Sequence, residues 1–96
     1  MHKLHNRSFD EVVNETYSNL KEKGIPTTIL DKALKVVQYM RNRTGHRGIM
    51  FVAAVFVAAE FLKQPYSQVE LSKISGFTEV SIRKWIREYL LCKIPN

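Results

Sequence analysis

The chain has 96 residues, 45% of them hydrophobic and 25% charged, and carries 15 Lys and Arg against 9 Asp and Glu, a net charge of +6. That length suits one domain around one core, and the apolar share excludes a disordered tail. A single cysteine, Cys92, excludes an internal disulfide and a cysteine-cluster zinc site.

Residues 1–10 are polar and basic, with His2, Lys3, His5 and Arg7 where a signal peptide would carry an apolar run. Residues 1–7 are expected to form a flexible end, followed by one domain over 8–94. Helix 1 is announced by Ser8 and Glu11, a capping box, and by Phe9, Val12, Val13, Tyr17 and Leu20 at helical spacing up to Gly24. Pro26 and Thr27 or Thr28 open helix 2, whose apolar stripe is Leu30, Ala33, Leu34, Val37 and Met40. The run Arg41-Asn42-Arg43-Thr44-Gly45-His46-Arg47 breaks the pattern. Its arginines at a helix start could hold a phosphate, or form a solvated polar loop.

Helix 3, from about Arg47 to Lys63, is apolar at nearly every position from Ile49 to Leu62. A helix without a wet side must be surrounded by others. Its unbroken apolar run, Ile49 to Ala59, is too short for a bilayer span of about 20 residues, so no membrane partner is expected. Ala53, Ala54, Ala58 and Ala59 allow close approach, while Phe51, Phe56 and Phe61 supply bulk to the core. Glu60 is expected where the helix emerges, near Lys63. After Pro65 come helix 4, about Ser67 to Ser75, and helix 5, from Thr78 or Glu79 to Leu91. The fold class is thus all-α: a central apolar helix wrapped by four amphipathic ones, with no strand.

Charge is unevenly placed. Residues 1–40 hold 6 basic and 5 acidic side chains, residues 41–96 hold 9 and 4, so the excess favours a polyanionic partner for the second half. Helices 4 and 5 have the outline of a helix-turn-helix over 67–91. Gly76 can take the left-handed conformation, Phe77 can plug the angle, and Thr78 can cap the second helix. If Ile82, Trp85, Ile86 and Tyr89 pack inward, then Val80, Arg83, Lys84 and Arg87 share the outer face. Arginine can bond guanine O6 and N7, and valine can meet a thymine methyl. Lys73, Lys84 and Arg87 could meet phosphates. The competing reading is a solvated basic face.

Gly45 to Leu91 resembles the second cyclin-like repeat of the transcription factor B family, the archaeal counterpart of transcription factor IIB. The resemblance is carried by Ile49-Met50-Phe51-Val52-Ala53-Ala54-Val55-Phe56-Val57-Ala58-Ala59, by Ser67-Gln68-Val69-Glu70-Leu71-Ser72-Lys73-Ile74-Ser75-Gly76, and most specifically by Thr78-Glu79-Val80-Ser81-Ile82-Arg83. It implies a cyclin-like five-helix domain whose helix-turn-helix reads the B-recognition element upstream of the TATA box, together with the TATA-binding protein. It assigns base contact to Val80 and Arg83, and backbone or adjacent contact to Ser81, Lys84 and Arg87; apart from the resemblance, the positive charge of Lys73 and Arg47 makes them further phosphate candidates. It implies a cytoplasmic, nucleoid-associated protein in an archaeon, or a nuclear one in a eukaryote. In that family RNA polymerase is recruited with a zinc ribbon and a first cyclin-like repeat, which these 96 residues do not contain.

Rival chemistries are weaker. His2 and His5 lack further metal ligands, and Cys92 lacks an orienting group for nucleophilic work. No glycine-rich phosphate loop, carboxylate pair or hydrolase elbow occurs, so neither an enzyme nor a cofactor is expected. The alternative function is a cyclin-like docking module that touches protein and no DNA. A winged or sigma-like regulator is a third option, opposed by the lack of a hairpin wing and by the apolar central helix.

Overall fold

The computed structural model describes residues 8–38 and 47–91. The described residues form five helices and no strand: α1 Phe9–Glu22, α2 Thr27–Val37, α3 Arg47–Phe61, α4 Gln68–Ser75 and α5 Glu79–Leu91. The expected flexible end, Met40 of the helix 2 stripe, the 41–46 loop and Cys92 lie outside the described residues, as do the side chains of Arg47, Leu90 and Leu91.

Helix starts follow local chemistry. Ser8 caps α1 in a complete box: its hydroxyl accepts from Glu11 N, and Glu11 Oε1 accepts from Ser8 N. Ser67 and Glu70 repeat the box at α4, at 3.0 and 2.9 Å. Each satisfies two of the amides that a helix start leaves without partners. α2 begins after Pro26, with no side-chain cap.

Two helix ends use the same backbone device with different residues. After α1, Gly24 adopts φ 101, its amide donates to Lys21 O and that of Ile25 to Leu20 O. After α3, Lys63 adopts φ 60, its amide donates to Glu60 O and that of Gln64 to Ala59 O. Both are Schellman closures, in which the left-handed residue is ordinarily glycine. At the second site lysine carries a Cβ into that region, at a cost of about 1–2 kcal/mol.

α3 is the axis, packed against each of the other four helices. Ile49 to Val55 and Val57 to Ala59 are all buried. α2 contributes Ile29, Leu30, Ala33, Val36 and Val37, and α1 contributes Val13 and Leu20. Each fully buried Val, Leu or Ile adds about 1.5–3 kcal/mol before the entropy of ordering it. Of the three phenylalanines expected in the core, Phe51 is fully buried, while Phe56 and Phe61 only pack against its edge. Successive members of that trio are five residues apart, about 140° around the helix, so they cannot all face one neighbour. Phe61 lies beneath Lys32, whose Nζ is 5.1 Å from the ring centre, and Glu60 is exposed.

Candidate nucleic-acid interface

The outer face of α5 is defined by what its inner face buries. Ile82, Ile86 and Tyr89 are sunk in the core, and Trp85 is half-buried against it. The Tyr89 hydroxyl donates to the Met50 carbonyl at 2.9 Å, tying α5 to the buried axis. Such a bond contributes about 1 kcal/mol and adds to the buried apolar contacts that orient α5. With that face inside, Val80, Ser81, Arg83, Lys84 and Arg87 are all exposed, Val80 at 70%.

The turn between α4 and α5 is short and closely hydrogen-bonded. Gly76 takes φ 87 and its amide donates to Ser72 O at 2.9 Å. A Cβ there would meet no atom within 4 Å, so the backbone conformation alone demands glycine. Ser72 Oγ donates to Phe77 O at 2.6 Å, and Phe77 N donates to Ser75 Oγ at 3.2 Å. Thr78 caps α5, its hydroxyl oxygen accepting from Ser81 N at 3.2 Å while its proton goes to Ser81 Oγ at 3.0 Å. The half-buried Phe77 ring reaches across to α3, 3.4 Å from where a Cβ on Gly48 would stand.

α1 braces this turn from behind. Lys23 Nζ donates to the Ile74 carbonyl at the end of α4, at 3.2 Å. Lys73, on the same last turn of α4, is exposed. A lysine at each place suits the negative end of the helix dipole. Arg47 opens α3, with its side chain outside the described residues.

Arg83 is exposed, and its Nε donates to Gln68 Oε1 on α4 at 3.2 Å. That contact uses one of the five guanidinium N–H bonds and leaves the four on the terminal nitrogens. Compared with protein-family models, curated proteins and solved structures, the chain matches none.

Three features of this region escape the sequence reading. Gln68 and Arg83 are 15 residues apart with a turn between, and no local pattern pairs them. Tyr89 is legible as an inward residue, whereas its carbonyl partner on α3 is not. A groove beside the α4–α5 pair is lined by Phe56, Tyr66 and Val69 with Glu60, Glu70 and Glu79. Gln68 lines the same groove and Glu79 stands one turn before Arg83, so these carboxylates adjoin the Arg83 end of the basic stripe. Among the described residues no group of three or more His, Cys, Asp or Glu is placed to share a metal, and no helix is long and apolar enough to cross a membrane.

Proposed function

We propose that this chain binds double-stranded promoter DNA through the outer face of α5, in a cyclin-like domain whose α4 and α5 form a helix-turn-helix. The observation that carries the reading is the joint exposure of Val80, Arg83, Lys84 and Arg87 on a helix whose opposite side is locked into the core. A helix end with an uncovered valine, followed by an arginine with free terminal nitrogens, suits the floor of a major groove. Val80 then meets a thymine methyl and Arg83 the O6 and N7 of a guanine. Ser81, Lys84, Arg87 and Lys73 supply backbone contacts that orient without reading sequence.

The likeness of 45–91 to the second repeat of transcription factor B adds the context: the B-recognition element as the site and the TATA-binding protein as co-ligand. Four cations on α4 and α5 can neutralise only a few phosphates, so the domain alone binds weakly. The TATA-binding protein would supply the second contact and the bend. RNA polymerase would be reached through domains of the kind found elsewhere in that family.

Fluorescence anisotropy on promoter duplexes, with the upstream element intact or scrambled and with or without the TATA-binding protein, tests this. The expected result is tighter binding to the intact element and a further gain with the TATA-binding protein. Equal, weak binding to both duplexes under all conditions would refute it. The groove of Phe56, Tyr66 and Val69 with its three glutamates favours a second reading, a protein-docking module without DNA contact. That reading requires the same titration to show no duplex binding at all.

A further inference from the structure

We infer that Gln68 is a positioning residue that sets the base preference of Arg83, holding the guanidinium so that its terminal edge alone is offered to guanine. This rests on the reading that α5 faces DNA.

Gln68 is the first residue of α4 and is half-buried. The capping box between Ser67 and Glu70 flanks it on both sides, so its backbone is fixed. Its Oε1 accepts from Arg83 Nε at 3.2 Å across the turn. A guanidinium can grip two acceptors either by its Nε side edge or by its terminal edge. Occupying Nε removes the first mode and leaves the second, the edge that spans O6 and N7 of one guanine. Glutamine also suits the task electrically: it is a neutral acceptor, orienting the cation without adding a further carboxylate to the groove it lines with Glu60, Glu70 and Glu79. Restricting the long side chain in advance lowers a cost otherwise paid on binding.

The experiment measures affinity for duplexes carrying each of the four bases at the position Arg83 reads, for wild type, Gln68→Met, Gln68→Glu and Arg83→Ala. Methionine keeps the length and loses the acceptor; glutamate keeps the acceptor. Gln68→Met is expected to reduce the guanine preference about 2- to 12-fold, equivalent to about 0.5–1.5 kcal/mol, with affinity for random duplex unchanged. Gln68→Glu should retain the preference while binding every duplex more weakly, because it adds a negative charge. Circular dichroism confirms that each variant is folded.

Full guanine preference in Gln68→Met, alongside its loss in Arg83→Ala, would overturn the role of Gln68 and leave the DNA interface standing. Equal loss on specific and random duplexes in Gln68→Met would also overturn it, as a merely structural effect. A wild-type chain that binds no duplex would overturn the interface, and this role with it.

Discussion

Replacing Phe51 by alanine tests whether α3 is oriented as described. The ring is 0% exposed and lies 6.2 Å, centre to centre, from that of Tyr17 on α1. A buried phenylalanine withdraws about 150–250 Å² from water, and at about 25 cal/mol per Å² that is about 4–6 kcal/mol, of which alanine retains a part. The expected loss is therefore about 3–5 kcal/mol, the range for phenylalanine truncations in packed cores. A domain of this size holds roughly 5–14 kcal/mol in all, so the variant should be severely weakened. Phe56, half-buried at the groove, should cost only about 1–2 kcal/mol when truncated, because solvent already reaches part of its ring. Urea unfolding followed by Trp85, the single tryptophan, measures both losses. A Phe56→Ala loss as large as that of Phe51→Ala, or a Phe51→Ala loss under about 1 kcal/mol, would mean that α3 presents a different side to α1.

Lys63→Gly should stabilise the fold by about 0.5–1 kcal/mol, since φ 60 strains any residue with a Cβ; a lower melting temperature would contradict this. Gly76→Ala should cost about 1–2 kcal/mol although the space is open, and an unchanged melting temperature would refute the backbone argument. Tyr17 donates to Asp31 Oδ1 at 2.7 Å, and that bond, then burial and the Asp31 charge, raise its phenol above the ordinary 10.0. The stability gained is whole below pH 10.0 and is lost as pH rises through the higher folded value, so Tyr17→Phe should be weaker than wild type at neutral pH and converge with it in alkali. A gap that stays constant across that range would contradict the pairing. Lys84→Ala and Arg87→Ala should weaken binding to every duplex alike and each flatten the salt dependence by about one unit; a change in base preference instead would move them from backbone to base contact.

Much of the fold is legible because it is written in short-range chemistry. Ser8 and Glu11, Gly24, Gly76 and Thr78 act within three or four residues of themselves, and the expected helix limits follow them closely. The box at Ser67 and Glu70 has the same spacing and the same chemistry. The inner face of α5 is legible because its polar and apolar positions alternate at helical period. α3 is the opposite case: a helix apolar all round has no periodic signal, so the sequence could not say that Phe51 faces the core while Phe56 meets a groove. Lys63 hid its helix end because the left-handed position lacks its usual glycine. The Gln68–Arg83, Lys23–Ile74 and Tyr89–Met50 contacts join separate helices, and only the three-dimensional packing brings them together.

Whether the exposed side of α5 reads bases is decided by Arg83→Ala, measured on specific against random duplex. The expected loss is about 1–3 kcal/mol on the cognate element, roughly 5- to 150-fold, with a much smaller loss on random DNA. Equal losses on both duplexes, or none on either, would contradict it.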